Sequence, residues 1–199
     1  DGAARARREA AQRLGVDAEA PTLLVTGGSL GAQHVNESMT KAARALPDGV
    51  QVIHLTGRGK DAPVRAAIEE AGLTARWHVI DYLTTMEDAL AVADLVVCRS
   101  GAGTVAEMEA LGLPCMYVPL PIGNGEQRLN AADHVSVGGA QIIDDKDFTA
   151  DFVSSNVFGL LGSTRLADMA AASRSLGRAG AAGALAELIM EQARKGEHE

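Results

Sequence analysis

Apolar positions in this chain fall into short unbroken runs, each followed by a polar or glycine-rich turn and then by a stretch with helical spacing. TLLVT at 22–26 and LVVC at 95–98 are the clearest of these runs. The same reading predicts further strands at 50–55, 76–80, 115–118 and 140–143. Helices are predicted between them at 1–14, 32–46, 61–72, 85–93, 104–111 and 126–137, and over most of 149–195. Glycine and proline punctuate the pattern: Gly15, Gly72 and Gly112 follow helices, and Pro63 stands near a helix start. The Ala/Gly-rich tract 170–184 reads as a turn between two terminal helices.

Six strands alternating with helices predict an α/β fold, a doubly wound parallel sheet with helices on both faces. Runs without in–out alternation agree, because a strand covered on both sides is apolar on both. Residues 1–20 hold no strand and read as an amino-terminal helix and linker region, and 21–199 as the domain with its terminal helices. There is no internal repeat.

The length of 199 residues suits one domain or one lobe of a larger protein. The chain begins at Asp1 rather than Met, and it is expected to be a piece of a longer protein. Hydrophobic residues are 47% and charged residues 22%, which excludes a disordered chain. Lys plus Arg is 18 and Asp plus Glu is 26, so the net charge is 18 − 26 = −8. An acidic chain with 3% aromatics lacks the basic face and stacking rings of a nucleic-acid binder, and no such partner is expected. Cys98 and Cys115 each lie in an apolar run and read as buried strand thiols. No run approaches the ~18 apolar residues of a membrane span, and no signal peptide opens the chain, so a cytoplasmic location is expected.

In a doubly wound sheet the ligand sits beyond the carboxyl ends of the strands. The segments there are GGSLGA, TGRGK, DYLTT, RSGAGT and PLPIGNGEQ. In the first, Gly27, Gly28 and Ser29 lead into a helix. Such a turn either brings N–H groups and a hydroxyl to an anion or is a plain turn with a serine cap. It is neither a GxGxxG fingerprint nor a P-loop. Ser100, Gly101, Ala102, Gly103 and Thr104 repeat the same chemistry at a second helix start. Two such loops on neighbouring strands suit the two phosphates of a diphosphate; the alternative is that Ser100 and Thr104 only cap. Glu107 either reaches a ribose diol or closes a capping box. Glu126, Gln127 and Asn130, after a Pro/Gly-rich loop, offer amides and a carboxylate suited to sugar hydroxyls. Asp144, Asp145 and Asp147 read as an acidic turn capping the next helix. The histidines 34, 54, 78, 134 and 198 lack metal-site spacing, and no metal site is expected.

The strings LLVTGGSLGAQHVNESM, ADLVVCRSGAGTVAEMEALGLPCMYVPLP and GNGEQRLNAADH, in this order, resemble the MurG family of GT-B glycosyltransferases. The match is to the carboxyl-terminal, donor-binding half, it runs from about Pro21 to the last helices, and PIGNGEQRLNA is most similar to actinobacterial members. The resemblance implies a Rossmann-like half of a GT-B enzyme. It implies an inverting transfer of GlcNAc from UDP-GlcNAc to lipid I, forming lipid II of peptidoglycan without a metal or other cofactor. It places Gly27, Gly28, Ser29 and Ser100 to Thr104 on the diphosphate, and the backbone of Leu83 on uracil. Glu107 falls on the ribose, and Glu126, Gln127 and Asn130 on the sugar. The general base, the lipid-linked acceptor site and the membrane-facing surface belong to the family's amino-terminal lobe, so no catalytic residue is expected in this chain. The resemblance further implies a full-length protein peripheral on the cytoplasmic face of the membrane. Leu30 and Glu126 replace glutamines usual in the family. Two alternatives stand beside this reading. One is a non-catalytic nucleotide-sugar-binding subunit of a split transferase, and the other is a related transferase with another donor or acceptor.

Overall fold

The computed structural model describes residues 2–28 and 31–177. Its sheet has strands β1 (Thr22–Thr26), β2 (Gln51–Leu55), β3 (Trp77–Ile80), β4 (Leu95–Cys98), β5 (Cys115–Tyr117) and β6 (Ala140–Ile142). All neighbours pair in parallel, in the order β3-β2-β1-β4-β5-β6. Helices α1 (Gly2–Leu14), α2 (Gln33–Lys41), α3 (Asp61–Glu70), α4 (Met86–Val92) and α5 (Ala102–Leu111) flank it. Two short helices, α6 (Glu126–Asn130) and α7 (Ala132–Ser136), lie between β5 and β6.

Every residue of β1 and β2 is buried, yet their side chains divide by pleat between two cores. Leu23, Val25, Leu95, Val97 and Met116 face the first core, with Val35 and Met39 of α2. Leu24, Val96, Cys98 and Tyr117 face the second, with Ala89 of α4 and Val105 and Met108 of α5. Each such leucine contributes roughly 1.5–3 kcal/mol by leaving water, so sheet and helices form together. Helix α1 is held to α4 by Arg13 with Asp88, and to the turn between α4 and β4 by a two-pronged ion pair of Arg7 with Asp94.

Several boundaries differ from the sequence pattern. The 32–46 helix ends at Lys41 and tightens into a 3-10 turn, Ala43–Ala45. Helix α5 starts at Ala102, not Thr104, because extended Gly101 is its N-cap. The 126–137 helix is broken at Ala131 into α6 and α7. Residues 164–177 are helical, so no turn opens at 170; the rest of 170–184, and the end of the predicted 149–195 helices, lie outside the described residues. Helix Ala150–Phe152 is capped by Thr149, whose hydroxyl accepts the Phe152 N–H at 3.2 Å, not by the preceding aspartates.

Candidate functional site

Helix α2 leaves β1 toward one core and α5 leaves β4 toward the other, so a crevice opens between the carboxyl ends of these adjacent strands. Two glycine turns form its rim. Gly27 is packed so closely that a Cβ there would stand 2.3 Å from the Ala32 nitrogen. Gly28 has φ +81° and its N–H donates to Thr26 Oγ1 at 3.2 Å. Gly31 closes the turn with an N–H to the Gly28 carbonyl at 2.9 Å. Its own missing Cβ would meet the Thr56 carbonyl oxygen at 2.1 Å. The predicted Ser29 and its neighbour Leu30 lie outside the described residues.

Among the described residues, neither helix that opens at the crevice is closed by a side chain. Ala32 caps α2 and Gly101 caps α5, both without a side-chain hydrogen bond. The first-turn N–H groups, with the partial positive charge of the helix, therefore open at the crevice without a side-chain cap from the described residues. This overturns the capping-only reading of Ser100 and Thr104. It overturns the capping box for Glu107 as well: with Gly101 as cap, Glu107 lies well beyond the third helical position that such a box requires. Thr26, Gly27, Gly28, Arg99, Thr104 and Glu107 line a cleft of about 90 Å³ here. The Glu107 side chain is exposed and has no hydrogen bond or ion pair among the described residues. Cys98, on the cleft floor, is an inert thiol. A hydrogen bond with Cys115, then burial, raises its pKa well above the usual value.

Ser100 is fully buried, and its hydroxyl is the one buried side-chain polar atom without a partner among the described residues. Leaving such a group unmet costs about 1–3 kcal/mol, so it marks a place built for something besides packing. Its backbone is held from both sides. Gln127 Oε1 accepts the Ser100 N–H at 3.2 Å and the Leu120 N–H at 2.9 Å, and Asn130 Nδ2 donates to the Ser100 carbonyl at 3.1 Å. The acceptor of Gln127 is thus occupied, and its Nε2 is left to donate outward. Glu126 is exposed at the start of α6. Gln127 and Glu126 line a second cavity of about 480 Å³, walled by 119–128 and 144–146, within the size range of small-molecule sites.

Leu83 lies in the loop after β3, half-buried against the second core, and does not line the 90 Å³ cleft. The acidic turn after β6 has a role that the sequence did not reveal. Asp145 pairs with Arg99, which follows β4, and with Nδ1 of His34 at 3.0 Å in the first turn of α2. The Arg99 and Asp145 side chains are 16% and 14% exposed, so the pair is shielded. Arg99 also donates to the carbonyls of Val118 and Pro119, both at 3.2 Å. The turns after β1, β4, β5 and β6 are thereby tied into one edge. Asp144 pairs with Arg128 of α6. Among the described residues no three His, Cys, Asp or Glu side chains come together as a metal site, and no helix is long and apolar enough to cross a membrane.

Residues 22–182 match the glycosyltransferase family 28 C-terminal domain. The chain belongs to this family. As a family 28 domain it is 44% identical, over 97% of its length, to the UDP-N-acetylglucosamine--N-acetylmuramyl-(pentapeptide) pyrophosphoryl-undecaprenol N-acetylglucosamine transferase of Bifidobacterium longum, strain DJO10A, of which it covers 53%. The transferase of the same name from Paenarthrobacter aurescens, strain TC1, is 45% identical over 89% of this chain and 48% of its own length. The domain thus spans about half the length of these curated relatives. Among solved structures, Acinetobacter baumannii MurG superposes with a TM-score of 0.72 at 28% identity, over 85% of this chain and 48% of that one. WaaG, a glycosyltransferase involved in lipopolysaccharide biosynthesis, shares the fold, with a TM-score of 0.65 at 18% identity over 88% of this chain and 50% of its own. The family 28 domain is a Rossmann-like unit of the GT-B architecture.

Proposed function

We propose that this chain is the donor-binding half of an inverting transferase that takes GlcNAc from UDP-GlcNAc and gives it to lipid I, forming lipid II. One observation carries the reading: two helix starts without a side-chain cap meet at the β1/β4 switch point, beside a buried Ser100 hydroxyl that has no partner among the described residues. The curated relatives' names support the donor and the lipid-linked acceptor.

In this reading the diphosphate lies on Gly27, Gly28 and the 100–104 turn. Ser29 supplies a hydroxyl from the same loop. Glu107 accepts from the ribose hydroxyls, and the backbone at Leu83 meets uracil. The sugar occupies the 480 Å³ cavity beside Glu126 and Gln127, while Asn130 acts through the Ser100 carbonyl that it holds.

The acceptor hydroxyl attacks the anomeric carbon from the face opposite the diphosphate, and the bond to UDP breaks with inversion. Negative charge grows on the β-phosphate as UDP departs. Fixed N–H groups at two helix starts stabilise it without reorganising and without a metal. The acceptor hydroxyl must lose its proton to a base. That base, and the surface carrying the acceptor on the cytoplasmic face of the membrane, belong to the half of the relatives that this chain does not span.

Calorimetric titration of the 199-residue chain tests the proposal. UDP and UDP-GlcNAc are expected to give saturable heat and to compete with each other, and the chain alone is expected to make no lipid II. No heat, together with no change in melting temperature at millimolar UDP, would refute donor binding.

A further inference from the structure

Away from the cleft, three buried polar side chains form a line that no step above uses. Trp77 of β3, His54 of β2 and Asn36 of α2 are 2%, 0% and 6% exposed. Trp77 Nε1 lies 3.3 Å from His54 Nδ1, His54 Nε2 lies 2.8 Å from Asn36 Oδ1, and Asn36 Nδ2 lies 3.0 Å from the Thr56 carbonyl. An indole nitrogen only donates, so His54 Nδ1 accepts and the ring proton sits on Nε2. Asn36 Oδ1 must then accept, and the Asn36 NH2 group is turned toward Thr56. The line has one direction, and the amide has one orientation.

Its end point is the wall of the glycine turn. The Thr56 carbonyl that Asn36 holds is the atom against which Gly31 rests, with no room for a Cβ between them. Asn36 sits in the first turns of α2 and its N–H joins the Ala32 carbonyl at 2.9 Å. The line therefore sets where the start of α2 stands above the end of β2. Apolar side chains of similar volume could fill the same space, but they would fix no such height.

We propose that His54 and Trp77 are positioning residues for the donor diphosphate, acting through Asn36 and Thr56 to place the glycine turn after β1. This rests on the reading of that turn as the diphosphate site. A displaced cradle still binds, but its N–H groups no longer converge on the phosphates.

The test compares UDP affinity and melting temperature for four variants of the full chain. His54→Leu and Trp77→Phe remove the line. His54→Gln keeps one acceptor and one donor. Leu166→Ala, in the buried first core on the helical stretch 164–177, is a stability control. His54→Leu or Trp77→Phe is expected to weaken UDP binding about tenfold, the loss of one well-placed hydrogen bond. His54→Gln should stay within about twofold of the parent, and Leu166→Ala should lower the melting temperature with UDP affinity unchanged. Trp77 is the chain's single tryptophan, so its indole N–H gives one NMR resonance, which UDP should shift in the parent protein. If folded Trp77→Phe binds UDP as the parent does, the positioning role is wrong and the donor reading survives. If the parent binds no UDP, the donor reading fails and takes the positioning role with it.

Discussion

The side-chain carbonyl of Gln127 accepts the Ser100 N–H at 3.2 Å, latching the loop after β5 onto the turn after β4. The same oxygen accepts the Leu120 N–H at 2.9 Å. One atom therefore shapes both the turn after β4 and the wall of the 480 Å³ cavity, and only the NH2 end of Gln127 is left for a ligand.

Gln127→Glu separates the two roles. A carboxylate accepts from the same N–H groups but has nothing to donate. Stability should stay within about 0.5 kcal/mol of the parent, and UDP affinity should be unchanged. Affinity for UDP-GlcNAc should fall to that for UDP. Gln127→Ala should cost about 1 kcal/mol in urea unfolding, since it frees two N–H groups at a half-exposed site. Equal losses for UDP and UDP-GlcNAc in Gln127→Glu would show that Gln127 serves the loop alone.

The glycines of the two turns make opposite predictions. At Gly31, φ is +69° and a Cβ would stand 2.1 Å from the Thr56 oxygen. Gly31→Ala should destabilise by about 3 kcal/mol or more and abolish UDP binding, because the turn must open. Gly103 lies inside α5 and a Cβ there meets nothing within 4 Å. Gly103→Ala should therefore gain about 0.5 kcal/mol of helix stability. If the diphosphate lies over this turn, the added methyl group blocks it, and a more stable protein will bind UDP less well. Higher stability with unchanged affinity would move the ligand away from Gly103.

Stability should fall in mild acid. His54 and His134 are buried and neutral, with pKa values lowered by burial to about 3 and about 4. In the unfolded chain they titrate near 6.5. Between these values the unfolded state binds more protons, so stability is complete above pH 6.5 and is lost as pH falls toward 4. For His134, the lowering to about 4 corresponds to of order 3 kcal/mol. His134 bridges Tyr117 and Ser173, at 2.9 and 2.8 Å. Urea midpoints at pH 7 and pH 5 measure the slope, and His134→Gln should flatten it while lowering the pH 7 value. A slope unaltered by His134→Gln would assign the acid sensitivity to other groups.

The fold was legible because burial on both faces leaves unbroken apolar runs: TLLVT and VIHL allow little besides central strands. Helix ends were less legible where backbone geometry overrode side-chain signals. Gly101 opens α5 without a polar cap, so Thr104, the conventional cap residue, marks the start too late. Within the described part of the tract from 170, Gly177 is small because of packing: a Cβ there would stand 2.5 Å from the Glu109 carbonyl, where the helix packs against the end of α5. That the two glycine turns line one crevice could be read from position alone, since residues after β1 and β4 must meet at the switch point; Glu107 could not, because a capping box accounted for it until Gly101 took the cap position. Asp145 could not, because its partners Arg99 and His34 are 46 and 111 residues away in the chain. Asn36 carries no signal of its own in the sequence, because Thr56 and His54 come beside it only through the pairing of β2 with β1.

Glu107 gives the last test. Its carboxylate is exposed, has no partner among the described residues, and lines the cleft beside Gly27 and Thr104. Glu107→Ala should leave stability within about 0.5 kcal/mol of the parent, because nothing in the fold leans on it. A charged hydrogen bond to the ribose diol is worth about 1.5–3 kcal/mol, so UDP binding should weaken by roughly ten- to a hundredfold. The cycle closes with a ligand that lacks the ribose hydroxyls. Dideoxy-UDP should bind the parent and Glu107→Ala equally, because each loses the same interaction. If Glu107→Ala weakens dideoxy-UDP as much as UDP, the carboxylate acts on the shape of the cleft and does not touch the ribose.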